Sequence, residues 1–295
     1  MKKLLFIAAV AVAALVACNK NDVKDEGPKK TPEVKTCAEN LVAHFMLESE
    51  TNAVKAEGIT FASKAGAANF GAGEIGNGYV NKSGKNDESY LKFNLAKDNA
   101  ISKLEDVTIT MWINNIEEFQ KGGLMSVNGK LFESQDWPSF VMMFDNKNFL
   151  NDEAGQPTEV KTQQFNGRIM FKKDDGSETN LWLDTWDPAF AKYATWTQIG
   201  FTYVASTGVW ALYVDGVKVK EAEYGDKMPF GKCIPADANA LYVGGWASFI
   251  EKYKGAADWQ SYFSGSIDEI RIFNKALTEE ELLALRKEEV AIALS

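Results

Sequence analysis

The dipeptide Asp215-Gly216 stands between two short runs of β-type residues. The run before it covers residues 209–214 (VWALYV), and the run after it begins at Val217 with VKV. Both central positions of a type I′ turn need positive φ, which Asp and Gly tolerate, so this pattern is the strongest short-range hairpin signal. We therefore expect the chain to fold back on itself here as two antiparallel strands.

Other short β-type runs precede and follow this hairpin, separated by turn residues. Residues 107–113 (VTITMWI) alternate between apolar side chains on one face and two threonines on the other. Further strands are predicted over residues 196–204, 241–243 and 267–273. One helix is predicted near the C terminus, where Thr278 and Glu281 form a capping box. This pattern indicates an all-β fold, a two-sheet antiparallel β-sandwich or jelly roll with a short C-terminal helix.

The first 17 residues have the organisation of an export signal. Lys2 and Lys3 precede an unbroken run of apolar and small residues, 4–17, which is too short to span a bilayer well. The run ends in LVAC, which resembles the bacterial lipobox, where the cysteine becomes the lipidated first residue of the mature protein. The resemblance implies that residues 1–17 are a lipoprotein signal peptide and that Cys18 carries lipid.

Residues 18–37 are polar and contain Gly27, Pro28 and Pro32 among many charged side chains. Such a composition buries no core, so this segment is predicted to be a lipidated flexible tether. The folded domain is then residues 38–295. The formal net charge of the chain is −9, and without a basic cluster this argues against nucleic acid as a partner.

The remaining cysteines and the single histidine build no recognisable metal site. Cys37 and Cys233 are far apart in sequence, and export would permit a disulfide between them, but two free, mostly buried thiols are the alternative. His44 is the only histidine, so a histidine-rich zinc site is excluded. It lies in a predicted strand without a serine elbow nearby, and a structural role is expected for it.

Several segments together resemble one family. These are residues 41–45 (LVAHF), 73–79 (GEIGNGY), 107–113 (VTITMWI), 196–203 (WTQIGFTY), 212–217 (LYVDGV) and 263–278 (FSGSIDEIRIFNKALT). In order and spacing they resemble laminin-G-like jelly rolls of the concanavalin A-like lectin/glucanase superfamily, over about residues 38–288. The resemblance implies two antiparallel sheets with loops at one rim. It leaves the function open, because the fold hosts lectins, glycosidases and adhesion modules.

Catalysis is the less favoured hypothesis. Glycoside hydrolysis usually needs two carboxylates placed across the scissile bond. The retaining glucanases of the superfamily carry them on one strand as E-x-D-x-E or E-x-D-x-x-E, and neither pattern occurs here. The segment WLDTWD, residues 182–187, comes nearest but lacks the glutamates.

Calcium is a candidate cofactor. The resemblance implies a site formed by an acidic residue after the first strand and by the aspartate of the I-D-E motif, which are Glu48 and Asp268 here. Asp268 also alternates onto the same face as Ile270 and Ile272, where a carboxylate needs a partner.

Glycan binding is the favoured hypothesis, because sugars stack on aromatic rings and bond amides and carboxylates through their hydroxyls. Trp182 and Trp186 alternate onto one face of a strand with Asp184 and so form a candidate platform. The aromatic-rich segment 244–263 adds Trp246, Tyr253, Trp259 and Tyr262. Large β-sandwiches bury many tryptophans, so about half of the aromatic candidates are expected to be core.

The predicted function is therefore a lectin-like lipoprotein without catalysis. It would be held at the cell envelope, on either face of an outer membrane, by lipid on Cys18. Its partner is predicted to be a glycan. The alternatives are a protein-adhesion or structural module with an envelope or extracellular protein as partner, and a glycoside hydrolase.

Overall fold

The predicted β-hairpin is present and is part of a fold with two sheets. The computed structural model describes residues 33–84, 86–116, 121–151, 154, 156–187, 194–256 and 260–295. At the turn between the hairpin strands, Asp215 has φ 52° and Gly216 φ 81°, so both central residues adopt the left-handed conformation that the sequence predicts. Val214 pairs with Val217 across this turn.

Seventeen strands are present in the described chain, together with two helices. The strands are β1 (Leu41–Phe45), β2 (Lys55–Ala56), β3 (Ile59–Gly66), β4 (Asn69–Ala72), β5 (Asn77–Asn81), β6 (Ser89–Leu95), β7 (Val107–Asn115), β8 (Gly122–Val127), β9 (Phe140–Asn151), β10 (Pro157–Lys172), β11 (Glu178–Asp187), β12 (Thr197–Val204), β13 (Val209–Val214), β14 (Val217–Glu223), β15 (Ala240–Val243), β16 (Ser261–Tyr262) and β17 (Gly265–Phe273). The helices are α1 (Ala247–Ile250) and α2 (Glu279–Ala293).

These strands form two sheets. The first sheet has the order β14-β13-β12-β7-β17-β1-β2, with β5 also paired to β17 and β4 to β5. The second sheet has the order β11-β10-β9-β8-β15-β6-β3, with β16 paired to β8. The described strand pairs are antiparallel except for β8 with β16. The structure therefore confirms the all-β sandwich with one C-terminal helix that the sequence predicts.

The core lies between the two sheets. It is built from the inward apolar side chains of both, including Met111 and Ile199 of the first sheet and Phe165 and Leu183 of the second. Alternation places the remaining side chains of each strand on the outer faces of the sandwich. What covers each outer face decides where a ligand has access.

Helix α2 covers the outer face of the first sheet. Its Leu282 and Leu285 pack against Tyr213 and Phe273 of this sheet. The predicted capping box is present, because the Thr278 hydroxyl accepts from the Glu281 N–H while the Glu281 carboxylate accepts from the Thr278 N–H. No helix in the described parts of the chain is both long enough and apolar enough to cross a bilayer.

A buried charged network lies under α2, on the face where the alternation of residues 107–113 places two threonines. Glu289 of α2 is completely buried and accepts hydrogen bonds from Trp112 Nε1 (2.8 Å), Gln198 Nε2 (2.5 Å) and Arg271 Nε (2.6 Å). Thr108 and Thr110 of the same face are buried as well. The helix removes this face from water, which a strand pattern by itself does not show.

His44 belongs to the same network. Its Nε2 lies 2.7 Å from a carboxylate oxygen of Glu269, and Glu269 also pairs with Arg271. Burial lowers the pKa of His44 below its ordinary value. These contacts match the structural role that we expect for this histidine.

The two cysteines of the domain are free thiols. Cys233 is completely buried in the core between the sheets, whereas Cys37 is half-buried and packs beside α2. The disulfide that export would permit is absent, because the fold places the two side chains in different apolar clusters. Burial raises the pKa of both thiols, which favours their protonated form.

Candidate functional site

The outer face of β10 and β11 carries the predicted Trp-Asp-Trp platform. Directly paired residues of antiparallel strands present their side chains on the same face. Phe165 and Leu183 point into the core, so the intervening residues point outward. The outward cross-strand pairs are Arg168 with Trp182, Asn166 with Asp184, and Gln164 with Trp186. The structure thus brings Trp182, Asp184 and Trp186 together on one surface.

Asp184 and the two tryptophans of the platform have different surroundings, although all three are half-buried. Gln164 Nε2 donates to Asp184 Oδ2 at 2.7 Å, which holds the carboxylate in place. The Trp182 ring packs edge-on against Trp137, with ring centroids 5.7 Å apart. Trp186 contacts no other aromatic ring within the described residues. Its indole is therefore the freest stacking surface of the platform.

Arg168 is held in place beside this platform. Its guanidinium lies 4.8 Å from the centroid of the Trp137 ring, a cation–π geometry, and its Nε donates to Asn180 Oδ1 at 2.8 Å. The side chain is 7% exposed. The Arg168 guanidinium therefore supports the Trp137 ring and is not exposed to solvent as a free positive charge.

Asn166 is the functional candidate that the sequence analysis missed. It is completely buried between Asp184 of β11 and Met143 of β9. Neither Nδ2 nor Oδ1 of its amide has a hydrogen-bond partner in the described part of the chain. An unsatisfied buried polar group costs about 1–3 kcal/mol, so such a group needs an explanation. The alternation of polar Gln164, Asn166 and Arg168 with apolar residues on β10 was the signal that pointed to it.

The predicted aromatic residues of segment 244–263 divide into buried and half-buried groups. Trp246 is completely buried, and its Nε1 donates to the Lys121 carbonyl at 2.8 Å. This burial contradicts the predicted ligand contact. The Trp246 ring lies beneath the outer face of the second sheet and offers no ring face to a ligand. Tyr262 is half-buried and reaches the surface.

Tyr253 contacts the segment that follows β8. Its hydroxyl donates to the Gly129 carbonyl at 3.0 Å, and the Lys130 ammonium lies 4.5 Å from its ring centroid. The Tyr253 side chain therefore already contacts neighbouring residues of the same chain. The remaining predicted residues of the site and the anchor, Trp259 and Cys18, lie outside the described residues.

The two predicted calcium ligands approach the same loop, residues 73–77. Asp268 Oδ2 accepts from the Ile75 N–H at 2.9 Å, and Glu48 Oε2 accepts from the Asn77 N–H at 3.0 Å. The loop comes so close to the carboxylates that a Cβ at Gly76 would lie 2.3 Å from Glu48 Oε1. Glycine is therefore required there, both for this approach and for its φ of 64°.

The carboxylates of Glu48 and Asp268 suit calcium but supply only part of its ligand set. Calcium takes six to eight oxygen ligands, and two carboxylates with nearby loop carbonyls have the right chemistry. Asp268 Oδ1 also accepts from the Glu269 N–H at 2.8 Å, so both of its oxygens already bond backbone. Among the described residues, no group of three His, Cys, Asp or Glu side chains could hold a metal ion. The calcium site stays a prediction.

Calcium should raise the thermal stability of the protein at neutral pH. Burial, followed by the nearby Glu269 carboxylate, raises the pKa of Asp268 well above its ordinary value. Because its pKa is higher in the folded state than in the unfolded state, the Asp268 carboxyl adds to the free energy of unfolding at pH values below its unfolded-state pKa. This contribution is lost as the pH rises through the folded-state pKa. A bound cation would favour the ionised carboxylate and offset that loss. Calorimetric titration of chelator-treated protein with Ca²⁺ tests this, and neither heat nor a shift in Tm would contradict it.

Comparison with known proteins identifies the fold family. A family model, Laminin_G_3, described as the concanavalin A-like lectin/glucanases superfamily, matches residues 83–283. No curated protein matches the chain.

The chain is also similar to several solved structures at low sequence identity. Domain 4 of AbnA, an extracellular arabinanase from Geobacillus stearothermophilus in complex with arabinotriose, is 14% identical with a TM-score of 0.47, covering 83% of this chain and 98% of that one. The Ruminococcus gnavus IT-sialidase CBM40 bound to α2,3-sialyllactose is 15% identical with a TM-score of 0.43, covering 62% and 83%. The botulinum neurotoxin type G receptor-binding domain is 12% identical with a TM-score of 0.49, covering 84% and 51%.

Proposed function

The chain belongs to the concanavalin A-like lectin/glucanases superfamily, and we propose that it is a carbohydrate-binding module whose site is the outer face of β10 and β11. The family does not decide the function, since one fold serves many. The proposal depends on one observation above all. The buried Asn166 amide has no hydrogen-bond partner among the described residues, and Asn166 pairs with Asp184 between the two platform tryptophans.

The chemistry of this surface suits a sugar. A pyranose or furanose ring has an apolar C–H face, which stacks on an indole such as that of Trp186. Its hydroxyls both donate and accept, so one sugar can bond the Asp184 carboxylate, and it can satisfy the Asn166 amide beneath once a side chain covering that amide moves aside. Gln164 fixes the carboxylate before binding, which reduces the entropy lost on association.

The charges around the platform favour an uncharged sugar. Asp184 has an amide as its hydrogen-bond partner, and Asp145 of the neighbouring strand β9 pairs with Lys121 at 3.4 Å. Arg168 is buried, so its charge is poorly placed to attract an external acid. The carboxylate of an acidic sugar would meet Asp184, whose described hydrogen-bond partner is an amide and not a cation.

A glycan array tests the proposal. We expect neutral glycans to bind and acidic ones to bind more weakly. Trp186→Ala should abolish binding with Tm unchanged, because a half-buried surface ring is lost. Trp196→Ala removes an equally half-buried indole next to β12 in the first sheet, and it should leave binding intact. Absence of binding to every glycan, with capture of an envelope protein, would favour the adhesion alternative and overturn the proposal.

We also propose that lipid on Cys18 anchors the module at the cell envelope, in an outer membrane. The described chain begins beside α2, where Glu288 accepts from the backbone N–H groups of Lys35 and Thr36, both at 2.9 Å. This attachment lies on the first-sheet side of the sandwich, opposite the Trp-Asp-Trp platform.

Replacing Cys18 with serine should release the protein from membranes, because the lipobox resemblance places the lipid on this thiol. Fractionation of expressing cells measures this. Cys37→Ser is the matched control, since Cys37 lies within the fold and its loss should leave the membrane fraction unchanged. A membrane-bound Cys18→Ser protein would contradict the anchor.

A further inference from the structure

A row of aromatic rings crosses the outer face of the second sheet from β11 to β6. Starting at the platform, the Trp182 and Trp137 centroids are 5.7 Å apart, and Trp137 lies 5.2 Å from Trp246. Trp246 and Phe249 of α1 share one apolar cluster. Together with Tyr262 and Tyr90, these four rings form a series that we call the ring row.

The ring row continues across the other half of the sheet. Phe249 lies 5.4 Å from Tyr262 of β16, and Tyr262 stacks on Tyr90 of β6 at 6.1 Å with an interplanar angle of 21°. Trp246 is buried, but the other five rings are half-buried and reach the surface. Five strand spacings separate β11 from β6, so the row extends over roughly 24 Å.

Two buried amides with unsatisfied hydrogen-bonding capacity lie along the ring row. One is Asn166 of β10, described above. The other is Gln260, which is 2% exposed and whose Oε1 accepts from Ser248 Oγ at 3.1 Å beside Phe249. Gln260 Nε2 has no partner among the residues that the structure describes. Gln260 precedes β16, which pairs with β8, so about two strand spacings, roughly 10 Å, separate it from β10.

We propose that the ring row binds an extended polysaccharide along its length, with several internal sugar units in contact at once. This inference rests on the proposed carbohydrate-binding function and specifies its ligand as a chain. A row of rings with amides at two places along it suits a polymer whose units repeat the same apolar face and the same hydroxyls. A site for a chain terminus would instead concentrate its polar groups at one end.

The test uses the full-length protein and soluble neutral polysaccharides (xylan, arabinan, mixed-linkage β-glucan, mannan and amylose). For each polymer that binds, titration calorimetry compares a trisaccharide with a hexasaccharide prepared from it. We expect the hexasaccharide to bind at least about tenfold more tightly, equivalent to roughly 1.4 kcal/mol. Trp182→Ala and Tyr262→Ala should each weaken the hexasaccharide about tenfold by the same conversion. Tyr262→Phe keeps the ring and should bind normally, and Tm values report whether each variant folds.

The possible failures are distinct. If the trisaccharide binds as tightly as the hexasaccharide, or if Tyr262→Ala has no effect while Trp182→Ala does, the site is confined to the β11 end. That result overturns the extended ligand and leaves the proposed function standing. If no polysaccharide and no glycan on the array binds, the proposed function itself fails, and the inference fails with it.

Discussion

Replacing Asn166 with leucine should stabilise the free protein and abolish its glycan binding. Leucine has a similar volume and no polar atoms, so the substitution removes an amide that is buried without a partner. We expect the free energy of unfolding to rise by about 1 kcal/mol, the lower end of the cost of such a group. Binding should fall below detection, because the amide is the polar centre of the proposed site. Urea unfolding and titration with a glycan from the array measure the two effects.

Asn128→Leu is the matched control for this prediction. Asn128 is also buried, but its Oδ1 accepts from the Asn239 and Ala240 N–H groups, and its Nδ2 donates to Asn239 Oδ1. The same substitution there leaves those backbone donors unpaired and should destabilise the fold. If Asn166→Leu destabilised the protein to a similar extent, Asn166 would be a structural residue and the main support for the site would be lost.

Replacing Glu289 with alanine should destabilise the fold by about 3–5 kcal/mol, as removing one partner of a buried ion pair generally does. The loss would leave the Arg271 guanidinium buried beside a single remaining carboxylate, and it would remove the acceptor of Trp112 Nε1 and Gln198 Nε2. Chemical denaturation measures the change. Glycan binding by the folded fraction should persist, since the network lies under α2 and the platform lies on the other sheet.

Glu280→Ala provides the comparison on the same helix. Glu280 is exposed in the first turn of α2, where a carboxylate interacts with the helix dipole for about 0.3–1 kcal/mol. A Glu289→Ala protein no less stable than Glu280→Ala would contradict the importance of the network.

Local patterns in the sequence were sufficient for some elements of the fold. Asp215-Gly216 specifies a turn because its two residues tolerate positive φ, and Thr278 with Glu281 specifies a helix start because the pair satisfies free backbone donors. Alternation along β11 also placed Trp182, Asp184 and Trp186 on one face. These predictions hold in the folded structure because each depends on interactions between residues that are close in the sequence.

The roles of individual side chains depended on contacts between distant segments. Trp246 was predicted as a ligand contact, but the β8 region and Trp137 enclose it. The two cysteines lie in separate clusters, so the disulfide left open by the sequence is absent. Alternation along β10 indicates that Asn166 faces outward, but an unpaired amide can be recognised only when every possible partner has been placed around it.

The sequence by itself determined that this chain forms an all-β sandwich closed by a capped helix, and it indicated which strand presents tryptophans outward. Turn conformation, capping and alternation are short-range properties, and a single sequence contains them completely. Only the tertiary structure decided that α2 covers one outer face while the other carries the ring row. That choice arises from burial of apolar surface between segments far apart in the chain, which no local pattern specifies.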